Sequence, residues 1–429
     1  MENWGCFHSL SLYCWHPDTS FASKQYTEEA TAVLDFKELA LEQEKVIINW
    51  RRDLHRIPEV GHDLPETAKY IAARLEEMGV GVQRNVGGHG VVGLIRGRTA
   101  GKIIALRSDM DGLPLEEETN LPFTSEHKGC MHACGHDAHM AMTLGAARIL
   151  QEKRNQLQGQ IKLIFQPAEE GPGGAKPMIE AGVLKHPTVD AILGLHIGSI
   201  FPELGNGQVG VCYGPAMACL DSFKIVVKGK GGHGAMPNAT VDPVTISAEI
   251  ILGLQTLISR ELKPSRPGVI TIGKIQGGTA YNIIPEKVEL HGTARFIHEE
   301  ERQRLSCRLG ELSRQIAQAM RGDCEVRYNY GYPPLENSPT FTKFFAGIAS
   351  SLLGPENVIE ISEPTMGGED MAYFLQHVPG TFFFLGGGKV QEGRIYPHHH
   401  PKFDVDESVL WRGAALLAAT ATCWLKENS

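Results

Sequence analysis

Residues 129 to 141 read GCMHACGHDAHMA, a stretch in which two thiols, three imidazoles and a carboxylate sit among small residues and methionine. Sulfur, nitrogen and oxygen donors at that density fit three kinds of arrangement: a metal centre, a thiol nucleophile beside a histidine base, or a packed segment that happens to contain Cys and His. More donors follow along the chain. KIIALRSDMDGLP carries Asp109 and Asp111 at the end of an apolar run, QIKLIFQPAEEGPGG carries Glu169 and Glu170 before a glycine-rich turn, and AILGLHIG carries His196. Cys thiolate, His nitrogen and carboxylate oxygen are the ligands of Zn²⁺ and its neighbours, and a mixed set with spare carboxylates suits a hydrolytic centre that keeps a position open for water. A pair of metals would account for the number of donors. The adjacent glutamates then divide their roles, one ligating while its neighbour moves a proton from water to the leaving amine. Asp137 reads as a group that holds a ligating histidine, and His132 and His139 as supporting or packed residues. In YPHHHPKFDVDE three adjacent rings cannot share one centre, so one of His398, His399 and His400 is expected to ligate.

Positioning these groups requires a scaffold that brings distant segments to one edge. LEQEKVIINWRRDLH and ETAKYIAARLEEMG have apolar residues at helical spacing. GVVGLI, KIIAL, QIKLIF and AILGL read as short strands, and a helix is expected from about His136 to Gln151. This alternation implies an α/β fold, a mixed sheet with helices on both faces. In open α/β sheets ligands bind outside the carboxyl ends of the strands, which is where Asp109, Asp111, Glu169, Glu170 and His196 fall. From Asp221 the pattern becomes βαββαβ, the order of a four-stranded antiparallel sheet with two helices on one face. The chain is therefore read as an irregular leader (1–35), a catalytic domain (36–215 and 335–429), and an inserted ferredoxin-like domain (216–334).

The 429 residues are 42% hydrophobic and 21% charged, enough for two or three domains with sizeable cores. With 41 Lys and Arg against 50 Asp and Glu, a net charge of -9, and no basic stripe, nucleic acid is excluded as a partner. No apolar run approaches the roughly 20 residues of a membrane span, and the N-terminus lacks the features of a secretory signal. A cytoplasmic protein is expected. The nine cysteines are scattered, so they are read as free thiols, with Cys212, Cys219, Cys307, Cys324 and Cys423 in the core.

The ordered set SDMDGLP, MHACGHDAHMA, QPAEEGPGG, GLH, GKGGHGAMPN, GGTAYNIIPE, GGEDMAYF and HHHPKFDVDE closely resembles the metal-dependent amidohydrolases that include hippurate and N-acyl-L-amino-acid hydrolases, related carboxypeptidases and the plant hydrolases of auxin conjugates. The likeness runs from about residue 36 to 425. It implies two divalent metals per subunit (Zn, Mn, Co or Ni), held by Cys134, His136, Glu170, His196 and one C-terminal histidine. The family's His-X-Pro-X-Phe-Asp ending selects His399 over His398 and His400, and Cys134 would bridge the metals. Glu169 falls on the general base that activates the water between them. Asp111 and Asp370 fall on supporting positions. In the inserted domain, which serves as lid and dimerisation surface in that family, His233 matches an oxyanion-stabilising residue and Asn282 a substrate contact, while Arg295 is a candidate for the substrate carboxylate. The implied reaction is hydrolysis of the amide bond of an N-acyl-L-amino acid or short peptide, by a homodimer or higher oligomer. A carboxypeptidase or dipeptidase with the same mechanism is the alternative, and a hydrolase using Cys134 as nucleophile is a third reading.

Overall fold

The computed structural model describes residues 35–429; apart from Asp35, the expected leader lies outside them. The larger sheet is built from β1 (Gly81–Gln83), β2 (Val91–Arg96), β3 (Lys102–Asp109), β4 (Gly159–Gln166), β5 (Ala191–Gly198) and β6 (Val209–Val211). The smaller one holds β7 (Asp221–Lys228), β8 (Gly268–Gly277), β9 (Lys287–Phe296) and β10 (Asp323–Asn329). β11 (Val358–Glu360) and β12 (Gly380–Gly386) return to the first sheet, whose order is β1-β2-β4-β3-β5-β12-β6-β11. It is a mixed sheet: β4, β3, β5 and β12 run parallel, β2 runs against both β1 and β4, and β6 runs against β12 but parallel to β11.

The central parallel strands are covered on both faces, which is why they read as nearly continuous apolar runs. Ile104 and Leu106 of β3 point into one core and Ile103 and Ala105 into the other. The first core is closed by α1 (Glu44–His55), α2 (Pro65–Glu77), α3 (His136–Glu152), α6 (Pro339–Leu353) and α7 (Leu410–Glu427). In α1 the buried residues Ile47, Trp50, Arg51, Leu54 and His55 follow helical spacing. The second core lies under the short helices Ala175–Glu180 and Met371–Leu375.

Among the described residues, one helix is long and apolar enough to cross a membrane. The segment Glu407–Glu427 has the length and composition of a membrane span, its apolarity spread over Ala and Leu, but most of it is buried inside the fold. It is a core helix of the larger sheet.

Between β6 and β11 the chain runs β7, α4 (Pro243–Thr256), β8, β9, α5 (Glu299–Ala319) and β10. Their sheet is antiparallel in the order β8-β9-β7-β10. Alternate residues Phe223, Ile225 and Val227 of β7 face α4 and α5 in a core of their own, and the residues between them stay open. Two linkers join this unit to the larger sheet. They touch at Leu220, whose N–H donates to the Tyr332 carbonyl, and at the Leu335–Met217 pairing. Asp221 pins the junction by accepting from Arg302 at 2.7 and 2.9 Å, from the Tyr328 hydroxyl at 2.8 Å and from the Gly331 N–H at 2.9 Å.

Candidate metal centre

The carboxyl ends of β3, β4, β5 and β12 lie along one edge of the larger sheet, and the residues that follow them meet there. β3 delivers Arg107 and Asp109. The Arg107 guanidinium is buried and donates to Gln166 Oε1 at 2.9 Å, Asp109 Oδ2 at 2.9 Å and Asp370 Oδ1 at 2.8 Å, with Glu369 Oε1 at 3.0 Å. It ties three segments together beneath the site. Asp370 also accepts from Gln166 and from the backbone N–H groups of Gly174 and Ala175, so it anchors the turn after β4.

That turn carries the paired glutamates. Ala168, just before them, has φ +57, an unusual value for a residue with a side chain. Asp111 caps the bend, its two carboxylate oxygens accepting from the Glu169 N–H at 2.9 Å and the Glu170 N–H at 3.0 Å. The Tyr332 hydroxyl, arriving from the linker, donates to the Glu169 carbonyl at 2.7 Å. Among the described residues no group hydrogen-bonds the Glu169 carboxylate, which lies 4.0 Å from His136 Nε2.

The start of α3 supplies His136, and the loop just before it Cys134, on either side of Gly135, whose φ of +87 makes the bend into the helix. Ring-nitrogen roles follow from the hydrogen-bond network. His136 donates Nδ1–H to the Asp111 carbonyl at 2.8 Å, leaving Nε2 buried and without a hydrogen-bond partner, 4.0 Å from Glu170 Oε1. His196 donates Nδ1–H to the Ile197 carbonyl at 2.9 Å and turns Nε2 toward Cys134 Sγ at 3.4 Å. His399 brings Nε2 to 3.1 Å from Glu170 Oε1, and Cys134, Glu170 and His399 offer three donor atoms that lie within 4.8 Å of one another. His139 differs from all of these. Its Nδ1–H donates to Asp109 at 2.7 Å and its Nε2 accepts the Ile197 N–H at 2.9 Å, so both nitrogens are engaged and the ring holds the strand that carries His196.

The electrostatics call for added positive charge. Asp109, Asp111, Glu169, Glu170, Glu369 and Asp370 converge on the site, and Arg107 is the guanidinium among them. Burial, reinforced by Glu369 and Glu170, pushes the Glu169 carboxyl well above its ordinary range. Burial likewise raises Glu369 to about 7, against the pull of Arg107. His136 goes the other way for an imidazole: burial would lower it, yet Asp109 and Asp111 raise it to about 10. Burial, joined by Glu170 and Glu169, raises the Cys134 thiol. A carboxylate excess, an unpartnered imidazole nitrogen and a buried thiol together fit divalent cations with S, N and O ligands.

Other expected residues fall elsewhere. Asp137 is buried behind the site and accepts from Arg51 Nε and from His55, both at 2.7 Å, rather than holding a ligating histidine. Arg51 continues to Asp404 at 2.8 Å and Glu407 at 3.2 Å. His233 and Asn282 are exposed neighbours in the smaller unit, where Gly232–His233 pairs with Ile283–Ile284. His233 Nδ1 accepts the Ala235 N–H at 3.0 Å. Arg295 spends its guanidinium on the Asp221 and Ala294 carbonyls and the Thr293 hydroxyl. Cys307 is exposed, on the open side of α5, instead of in the core, and Cys423 is half-buried.

The sequence model of peptidase family M20/M25/M40 matches residues 105–422, a span that includes Asp109, Asp111, the Cys-His segment, both glutamates, His196 and His399. The chain belongs to this family. Thermostable carboxypeptidase 1 of Saccharolobus solfataricus is 45% identical over 88% of this chain and 95% of its own length. The N-acetyl-L-cysteine deacetylase of Bacillus subtilis is 40% identical over 90% of this chain and 89% of its own. The crystal structure of the Bacillus subtilis YXEP protein, described as a dinuclear metal-binding peptidase of the M20 family, superposes with a TM-score of 0.78 at 37% identity, covering 89% of this chain and 98% of that one. The protein is therefore an M20 metal-dependent hydrolase.

Within this M20 site, Arg107, Gln166, Tyr332 and Glu369 were not singled out from the sequence. Arg107 carried a usable signal: a charged residue inside the buried run KIIALRSD needs buried carboxylates. His139, read from the sequence as supporting or packed, lies one helical turn after His136 and shares its face. Tyr332 carried no signal, because its contact with Glu169 depends on the path of the linker.

Proposed function

We propose that this M20 enzyme hydrolyses the amide bond of N-acyl-L-amino acids, with acetyl, benzoyl or other aromatic acyl groups, using Glu169 as general base. The observation that carries the reading is the Glu169–Glu170 pair. The two carboxylates leave one backbone bend fixed by Asp111; Glu170 turns to His399, and Glu169 stays free of donors beside His136. Cys134, His136, Glu170, His196 and His399 would hold two divalent ions, Zn, Mn, Co or Ni, with Cys134 between them. When bound, such a pair lowers the pKa of water and polarises the scissile carbonyl.

The chain's own residues supply the proton movements. Glu169 takes the proton of the attacking water at a carboxylate oxygen and returns it to the amine nitrogen as the C–N bond breaks. A raised pKa suits that second step, because the protonated acid must persist long enough to donate. The products are a carboxylic acid and a free amino acid. Residues 216–334 act as a ferredoxin-like lid and dimerisation unit, and the sheet order β8-β9-β7-β10 supports that fold. His233 stabilises the oxyanion and Asn282 contacts substrate; both lie exposed on the lid surface, which supports action on a site across a dimer. The engagement of Arg295 with the Asp221 carbonyl favours a role in the linker over one in carboxylate binding. The names of the relatives, a carboxypeptidase and an N-acetyl-L-cysteine deacetylase, support an acylated amino acid or short peptide as substrate.

The test is a panel of N-acetyl, N-benzoyl and indole-acetyl amino acids alongside dipeptides, assayed with apoenzyme reconstituted separately with each metal. Highest kcat/KM on an N-acyl amino acid is expected. Preference for dipeptides would favour the peptidase alternative, and full activity after chelation would favour Cys134 as nucleophile.

A further inference from the structure

His398 has a ring nitrogen within 4.8 Å of donor atoms of Cys134 and His196, although it is not among the residues read as ligands. Its ring is held between His196, with centroids 5.0 Å apart, and Phe403, at 4.6 Å. The Ser199 N–H reaches His398 Nε2 at 3.1 Å, and His398 Nδ1 faces Cys134 Sγ at 3.7 Å. A backbone N–H can only donate, so Nε2 accepts and must keep its lone pair there. The one proton of the neutral ring is then on Nδ1. A protonated nitrogen cannot ligate a metal, but it can donate to sulfur.

The backbone is shaped to permit this approach. Gly198 has φ +129, and a Cβ at that position would sit 2.3 Å from both Cε1 and Nε2 of His398. Any side chain there would push the ring off Cys134. The glycine at the end of β5 therefore serves the close contact as well as the turn.

We infer that His398 is a positioning residue that donates an Nδ1–H hydrogen bond to the Cys134 sulfur, while His399 supplies the ligand of the histidine triplet. This rests on the reading of Cys134 as a metal ligand. Sulfur has several lone-pair directions, so a fixed donor would select the orientation in which the thiolate faces the ions. It also withdraws charge from the sulfur and so tunes how strongly it donates to a metal.

Cobalt(II) provides readouts independent of activity. Wild-type, His398→Phe, His398→Leu and His398→Asn proteins are loaded with cobalt, their metal content measured at saturation, and their sulfur-to-cobalt charge-transfer absorption recorded. Phe and Leu remove the donor, the second without the bulk of a ring if Phe disrupts folding; Asn can place an amide N–H where Nδ1 was. The expected result is two cobalt ions per subunit in every variant. The charge-transfer band should move to lower energy in His398→Phe and His398→Leu and return toward wild type in His398→Asn. Cobalt affinity should weaken roughly 10- to 100-fold in the donorless variants, as loss of a group that orients a ligand does elsewhere. Loss of one cobalt at saturation would make His398 a ligand and overturn the inference, as would an unmoved band. Absence of the band from the wild-type protein would instead remove Cys134 from the ligand set, and the inference with it.

Discussion

Asp111 holds the two glutamates through backbone bonds alone, which makes Asp111→Asn an informative perturbation. The carboxylate accepts from the Glu169 N–H at 2.9 Å and the Glu170 N–H at 3.0 Å, and its own backbone carbonyl accepts from His136 Nδ1 at 2.8 Å. The substitution leaves the third bond untouched. Of the first two, each a charge-assisted bond of about 1.5–3 kcal/mol, one becomes a neutral bond of about 1 kcal/mol and the other is replaced by an NH₂ group facing an N–H. The net loss is about 2–5 kcal/mol, roughly 30- to 5,000-fold in an equilibrium or rate constant. Because both glutamates ride on the same bend, the loss should be divided between kcat/KM, through Glu169, and metal affinity, through Glu170. The assay is kcat/KM at saturating metal, with a competition titration for metal Kd and urea unfolding of the apoprotein. A variant within about threefold of wild type in both kcat/KM and metal Kd would fall far below the roughly 30-fold floor of the estimate and refute the reasoning.

Arg51→Met strands Asp137 and Asp404 in the interior without their guanidinium, and unfolding of the metal-free protein should show a loss of about 3–5 kcal/mol. His132 is buried with both ring nitrogens unpartnered, and burial lowers it to about 3 from 6.5. The folded value lies below the unfolded one, so the unfolded chain binds the extra proton between those limits and stability falls as pH drops from 6.5 toward 3. Its slope is at most about 1.4 kcal/mol per pH unit; urea unfolding of the apoprotein at pH 7 and pH 5 should show a smaller acid loss in His132→Phe, and an unchanged loss would mean that the ring is already protonated when folded. If His233 acts across a dimer, mixing inactive Glu169→Gln with inactive His233→Ala under subunit exchange should restore activity, because one site per heterodimer then combines both intact residues. Persistent inactivity in every mixture would remove the cross-subunit role.

Much of the site was legible because its donors end strands. A nearly continuous apolar run that stops at Asp109, another that stops just before the paired glutamates, and His196 near the end of β5 all mark the same edge once these strands are parallel. Tyr332 was not legible, and Arg107 showed only that it needs buried carboxylates and not which ones, because their contacts join segments far apart in sequence: Arg107 to Asp370, and Tyr332 to Glu169. Asp137 illustrates the limit from the other side. Its position next to His136 suggested a ligand-holding role, yet helical geometry turns adjacent side chains about 100° apart, and Asp137 faces Arg51 and His55 on α1. The histidine triplet could be narrowed by motif, but only the Ser199 N–H shows which nitrogen of His398 carries the proton.

The central claim is that Glu169 moves the proton while other residues hold the metals. Glu169→Gln measures this most directly, because the amide keeps the size of the side chain and removes its basicity. The account predicts unchanged metal stoichiometry with kcat on an N-acyl-L-amino acid lowered by roughly 10²–10⁴. Near wild-type kcat with full metal content would contradict it.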